Sequence, residues 1–153
     1  MKKRASVAFV ILSLFLEAGC ISFKVKPPLS PENQVESIQL CKEISEKGNL
    51  LKPLKVESEF NLGTDKVICL IRLKDVEKKI LLQWKWYSPE KKLLRDTGDI
   101  AVNEDEKYLE VVTAYDRFKL NTKDSKEGQW MVVFFINHKL AGRKNFTVKK
   151  PAE

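Results

Sequence analysis

The sequence has little of what enzymes and metalloproteins use for chemistry: one histidine, three cysteines and six glycines in 153 residues. The single histidine, His138, stands at an expected turn with no further ligand at zinc spacing, so we expect no metal site. A Ser-His-acid arrangement would need the same residue. The chain has no glycine-rich phosphate loop and no Gly-x-Ser-x-Gly turn. We therefore expect no enzyme activity and no cofactor.

Acidic residues gather in the middle of the chain, but they lack the ordered ligand spacing of a calcium loop. They are Asp96, Asp99, Glu104, Asp105 and Glu106. We interpret them as solvated loop residues.

One uncharged apolar run lies at the start of the chain. Lys2, Lys3 and Arg4 precede Ala5 to Leu16, a stretch of twelve residues that Glu17 ends. A bilayer-spanning helix needs about 20 apolar residues, so this run is too short to be one. Basic residues followed by a short apolar run are typical of a secretory signal.

The first twenty residues resemble a bacterial lipoprotein signal, in which small residues precede an obligatory cysteine. Ala18, Gly19 and Cys20 match that pattern, while Glu17 stands where the family prefers leucine. The resemblance implies that residues 1–19 are a signal peptide and that Cys20 carries a diacylglycerol. Ile21 then favours the outer membrane, facing the periplasm. An ordinary cleaved signal and an uncleaved anchor are the alternatives.

Residues 20–34 are expected to form a tether before a folded domain at 35–153. Pro27, Pro28 and Pro31 favour an extended backbone, so the tether would act as a semi-stiff spacer.

Beyond residue 35 the apolar residues alternate with a period of two, which predicts an all-β sandwich or barrel. The clearest alternating series are Val67-Cys69-Ile71-Leu73, Ile80-Leu82-Trp84-Trp86 and Trp130-Val132-Phe134-Ile136. Asn137-His138 stands where a two-residue hairpin turn belongs. Helical periodicity is weak, with one short helix expected at 38–47 or 116–120.

The segments WKWYSPEKKL (84–93), GQWMVVFFINHKLAG (128–142) and FTV (146–148) resemble an immunoglobulin-like module of bacterial envelope proteins. The resemblance implies a single immunoglobulin-like antiparallel β-sandwich of about seven strands. No cysteine lies beside Trp130, so the inter-sheet bridge of antibody domains is missing. Such a resemblance indicates a fold and no particular activity.

Two cysteines remain in the expected domain, Cys41 and Cys69. Because cysteines pair readily outside the cytoplasm, a disulfide between them is expected, with two separate buried thiols as the alternative.

Three tryptophans, Trp84, Trp86 and Trp130, are either core residues or the lining of a ligand groove. The spacing puts Trp84 and Trp86 on one strand face, and we expect Trp130 to meet them from the opposite sheet. Core packing is the favoured interpretation.

The formal net charge is +7, and it falls to +5 (25 basic against 20 acidic residues) without Lys2, Lys3, Arg4 and Glu17. Basic and acidic residues alternate, so we expect a solvated surface and no nucleic acid partner.

The leading hypothesis is a non-enzymatic, membrane-anchored envelope lipoprotein that engages a partner protein, for example through an exposed sheet edge. The alternative is a module that binds an envelope glycan, a lipid or a small ligand through aromatic and lysine residues.

Overall fold

The computed structural model describes residues 29–47, 50–63, 66–120 and 125–151. This part of the chain contains one helical turn, α1 (Pro31–Gln34), and ten strands. The strands are β1 (Val35–Lys47), β2 (Leu50–Val56), β3 (Glu59–Asn61), β4 (Lys66–Val76), β5 (Ile80–Tyr87), β6 (Leu93–Asp96), β7 (Ile100–Val102), β8 (Leu109–Lys119), β9 (Gly128–Ile136) and β10 (Lys139–Lys149).

The strands form two sheets. The first sheet has the order β2-β1-β4-β8, and the second has the order β3-β10-β9-β5-β6, with β7 also paired to β5. The predicted all-β sandwich is therefore confirmed. Its strand count exceeds the expected seven, because short strands such as β3 and β7 carry no alternating pattern that would reveal them. The sandwich is also not wholly antiparallel, since β3 runs parallel to β10.

The core fills the space between the sheets with the alternating residues of the central strands. Along β5, every second side chain from Ile80 to Trp86 is buried and the intervening ones are only partly covered. The alternating buried residues of β4 face them from the first sheet, and those of β9 lie beside them in the second sheet. Each fully buried large apolar side chain stabilises the folded state by roughly 1.5–3 kcal/mol relative to leaving it exposed to water.

The hairpin between β9 and β10 turns at Asn137 and His138, as predicted. Both residues have positive φ angles, 50° and 63°, which is the conformation of a type I′ turn. Asn137 also accepts a hydrogen bond at Oδ1 from the Leu81 amide (2.9 Å) and donates its own amide to the Leu81 carbonyl (2.8 Å). The turn is thereby fixed to the start of β5.

The paired parts of β1 and β2 at residues 43–47 and 50–54 fold back over the outer face of the first sheet, and these residues are called the flap below. The Leu51 amide reaches Thr113 Oγ1 on β8 (3.4 Å), although β2 and β8 lie at opposite edges of that sheet. Lys55, at the base of the flap, has a φ of 54°, which bends the strand there. The flap explains why Ile68 and Leu70 on the outer face are each only 3% exposed.

Two expectations about the N-terminal half and β8 were wrong. Residues 38–47 and 116–120 are not helical: the first range lies in β1, and β8 extends through Lys119. Residues 38–41 pair with β4 and residues 43–47 pair with β2, while residues 116–119 pair with β4, and this tertiary pairing overrides weak local preference.

Only the end of the tether expected over residues 20–34 lies in the described part of the chain. Pro31–Gln34 forms α1, which packs against β10 and β4, so the folded part begins before residue 35. The expected signal peptide (1–19), the expected lipidation site Cys20 and residues 21–28 of the expected tether lie outside the described residues.

The sheets approach each other closely where β1 meets β10. Gly142 on β10 faces Ile38 on β1, and a Cβ atom at position 142 would overlap Ile38 Cδ1. The missing Cβ at Gly142 therefore leaves room for the end of the Ile38 side chain on this side of the sandwich.

Candidate functional site

The three tryptophans belong to the core. Trp84, Trp86 and Trp130 are each no more than 1% exposed, so none of them lines an open groove. The expectation that Trp130 meets the others from the opposite sheet was wrong, because β9 and β5 are neighbours in the second sheet. Phe118 from the first sheet instead packs against both Trp86 (5.7 Å between ring centroids) and Trp130 (5.4 Å).

The expected disulfide between Cys41 and Cys69 is not formed, and both residues are buried free thiols. In the β1–β4 pairing, Leu40 lies opposite Cys69 and Cys41 lies opposite Ile68. Directly opposite residues share a face, and a step of one residue reverses it. Cys69 therefore points into the core and Cys41 to the outer face under the flap, so the two Cβ atoms point apart.

Burial leaves the Cys69 thiol protonated. Desolvation in the core raises its pKa to about 12. The Trp84 indole N–H is directed towards the sulfur, outside normal hydrogen-bond geometry, and opposes the increase. Burial also raises the pKa of Cys41. Neither thiol has the lowered pKa of a reactive cysteine.

A buried carboxylate that the sequence interpretation missed connects the two sheets. Asp116 on β8 is 7% exposed and accepts hydrogen bonds from Trp86 Nε1 (2.8 Å), Arg95 Nε (2.9 Å) and Arg95 Nη2 (2.7 Å). The bidentate contact with the Asp116 carboxylate raises the pKa of Arg95. One sequence signal existed: Asp116 shares its phase with Ala114 and Phe118, so alternation would have placed it inward.

His138 and the acidic residues do not converge on a metal site. His138 Nε2 lies 3.5 Å from Asp99 Oδ2 at the surface. Within the described ranges, no group of three or more histidine, cysteine, aspartate or glutamate residues could hold a metal ion. Asp96 accepts a hydrogen bond from the Gly98 amide, and chiefly for that reason its pKa is lowered.

A cavity of about 470 Å³, here called the entry cavity, lies at the end of the sandwich where the chain enters the domain. Its lining comes from the entering segment, from the β4–β5 turn and from the starts of β8 and β10. The lining residues are Leu29, Pro31, Gln34, Asp75, Glu77, Lys78, Lys79, Ile80, Tyr108, Asn137 and Lys139. Tyr108 Oη donates to Asp75 Oδ1 (2.8 Å), and this bond to a carboxylate raises the pKa of Tyr108.

The most extended unpaired backbone in the described part of the chain is the free side of β8, here called the β8 edge. β8 pairs with β4 along its length and has no hydrogen-bonded strand on its other side within that part. Its outward side chains change along the strand from Val111, Thr113 and Tyr115 to Arg117 and Lys119. Tyr115 is 40% exposed, and Leu50 is exposed to a similar extent. Leu50 precedes Leu51, the flap residue whose amide is hydrogen-bonded to Thr113.

Comparisons with known proteins give similarities of fold alone. No protein-family model and no curated protein matches the chain. An immunoglobulin-like protein from Pseudomonas aeruginosa is 15% identical, with a TM-score of 0.44, over 76% of this chain and 95% of that one. The DNA-bound alkylpurine DNA glycosylase AlkC from Pseudomonas fluorescens is 10% identical, with a TM-score of 0.43, over 60% of this chain. This chain spans only 27% of the glycosylase.

The residues that we expect to attach the chain to a membrane precede the described part of the chain. No helix in residues 29–47, 50–63, 66–120 or 125–151 has the length and apolar character needed to cross a bilayer.

Proposed function

We propose that this chain is a non-enzymatic lipoprotein of a bacterial cell envelope, anchored through a diacylglycerol on Cys20, whose β-sandwich binds a partner protein. The anchor rests on the basic start, the twelve-residue apolar run and the sequence Ala18-Gly19-Cys20. Acyl chains add roughly 0.8 kcal/mol of membrane affinity per buried methylene, and two chains are enough for stable anchoring.

The anchor would hold the domain near the membrane. Eight residues separate Cys20 from Leu29, which lines the entry cavity. Fully extended, they reach at most about 25–30 Å. A partner of this lipoprotein would therefore have to lie in the same membrane or within that distance of it.

The observation that carries the partner-binding proposal is the β8 edge. Unpaired edges are templates for strand addition, and native proteins usually shorten, cover or distort them. This edge spans eleven residues, Leu109–Lys119. The three tryptophans are buried and offer no surface on which a sugar or an apolar ligand could stack, which favours a protein partner over a tryptophan-lined groove.

The proposal is tested by crosslinking intact cells that produce a tagged chain, extracting the membranes in detergent and identifying what co-purifies. Cys20→Ala is the control. We expect one stoichiometric protein with the native chain and its loss with Cys20→Ala. Recovery of Cys20→Ala in the same membrane fraction, with the same partner, would contradict the lipid anchor. Absence of any protein with the native chain would contradict partner binding.

A second candidate function, binding of a small envelope ligand such as a glycan fragment or a lipid headgroup, is favoured by the entry cavity. Its volume of about 470 Å³ is in the usual range for ligand sites. Lys78, Lys79 and Lys139 offer donors, although Asp75 and Glu77 oppose an anion. Native mass spectrometry of the chain purified from membranes tests it: a bound small molecule that is lost in Lys78→Ala/Lys139→Ala supports this function.

A further inference from the structure

The β8 edge carries an ordered pattern of side chains as well as free backbone groups. On the outer face of the sheet, the apolar and neutral residues Val111, Thr113 and Tyr115 precede the two cations Arg117 and Lys119. A strand added along this edge would place every second side chain beside one of these residues. The edge therefore distinguishes between partner strands by the order of their apolar and charged residues.

Among the described residues, no acidic side chain neutralises the cationic half of the edge. Lys119 lies directly opposite Lys66 on β4, a like-charged pair that is unfavourable in a sheet. Neither Arg117 nor Lys119 forms an ion pair with the residues that the structure describes. Lys66 has Glu43 nearby, but Lys55 already holds that carboxylate at 2.7 Å. Acidic side chains on a partner would relieve this repulsion.

The opposite half of the edge is suited to an apolar side chain. Tyr115 is exposed, and the flap brings Leu50 and Leu51 beside Thr113. A partner side chain next to Tyr115 would lie against the ring and the adjoining flap. On the inner face, Asp116 is already held by Arg95, so the partner residue beside it needs only to be small or polar.

We infer that the β8 edge binds, in antiparallel orientation, an extended segment of a partner protein with two acidic residues at alternate positions followed by two apolar residues at alternate positions. The acids lie beside Lys119 and Arg117, and the first apolar residue lies beside Tyr115. We infer the antiparallel orientation because antiparallel strand pairing is more stable per residue than parallel pairing. This inference rests on the proposed function and identifies the chemistry of the partner.

The test uses the full chain in detergent and a fluorescent peptide of about nine residues. The peptide carries Glu at its first and third positions, Val at its fifth and seventh, and Thr elsewhere. We expect saturable binding by fluorescence anisotropy and slower hydrogen exchange of the β8 amides. The reversed sequence should bind weakly. Equal binding of the reversed peptide, or no binding of either, would overturn the inference.

Charge exchange provides the specific test. Arg117→Glu/Lys119→Glu should weaken the acidic peptide about tenfold and bind a peptide with Lys in place of Glu. Arg143→Glu/Lys144→Glu makes the same charge change at two exposed positions of β10 in the second sheet and should leave the acidic peptide unaffected. Thermal unfolding checks that both variants fold. Equal weakening in both variants would mean that net charge, and not the β8 edge, determines binding.

Three further outcomes separate the possible failures. If an oligonucleotide binds the native chain with the same dependence on Arg117 and Lys119 while β8 exchange stays unchanged, the surface is a polyanion site and the inference fails. If Arg117→Glu/Lys119→Glu retains the crosslinked membrane partner, the proposed function stands and the assignment to the β8 edge fails. If the native chain crosslinks to no protein, the proposed function itself fails.

Discussion

Replacing Asp116 by alanine should destabilise the domain more than any other single change at an acidic residue in the described structure. The carboxylate is almost fully buried and accepts three hydrogen bonds that connect β8 to β5 and β6. Because those strands belong to different sheets, the change would loosen the sandwich on the side of the β8 edge.

The magnitude follows from the burial of each partner. Removing one member of a buried ion pair costs about 3–5 kcal/mol, because the other charge is left without its partner. The Arg95 side chain, however, is 44% exposed, so water screens much of that charge. The Trp86 N–H would be left unsatisfied in the core, which costs about 1–3 kcal/mol. We expect a total loss of about 2–4 kcal/mol in the free energy of unfolding.

Urea unfolding followed by tryptophan fluorescence measures this loss, because Trp86 reports on the site itself. Asp99→Ala is the matched control: its carboxylate is exposed and lies 3.5 Å from His138, so we expect about 0.5 kcal/mol or less. Asp116→Asn retains an acceptor for Trp86 and should fall between the two. If Asp116→Ala unfolds at the same urea concentration as Asp99→Ala, the carboxylate does not connect the sheets as described.

Three further predictions follow from the core and from the cysteines. Trp130→Ala should lower the free energy of unfolding by about 3–5 kcal/mol, measured by urea unfolding, and a loss below 1 kcal/mol would argue against a core position. Gly142→Ala should cost about 0.5–1.5 kcal/mol, because the end of the Ile38 side chain has to shift. Ile38→Val removes that end and should recover part of the loss in the double variant; additive losses would contradict the contact. In a Cys20→Ala background without reductant, Cys41 and Cys69 should be unreactive towards a thiol reagent at about pH 9, where an ordinary thiol is largely ionised, because burial raises both pKa values. Both thiols should react after denaturation, and the absence of reactive thiols then would indicate the disulfide.

The predictable parts of this fold are those that local sequence determines. Alternation identified β5 and β9, and it assigned Trp84 and Trp86 to one buried face. The Asn137-His138 hairpin was predictable because two adjacent residues determine a type I′ turn. The core position of the tryptophans followed from the same alternation, without any knowledge of strand order.

The features that the sequence did not reveal depend on which strands become neighbours. Trp130 shares a sheet with Trp86 because β9 pairs with β5, which is a long-range choice. Cys41 and Cys69 point to opposite faces of the first sheet because of the register between β1 and β4. A shift of one residue would have placed them on the same face. The flap depends on a bend at Lys55 that no turn residue signals. The β8 edge is likewise invisible locally, since an edge strand and a central strand show the same alternation.

The mass of the mature N-terminus is the most direct test of the proposed lipid anchor at Cys20. The chain would be purified from the membranes of the producing cell and measured intact by mass spectrometry, beside Cys20→Ala. We expect a native chain that begins at Cys20 and carries the mass of a diacylglycerol, and a Cys20→Ala chain without that mass. A native chain that retains residues 1–19, or one that begins at Cys20 without added lipid, would contradict the claim.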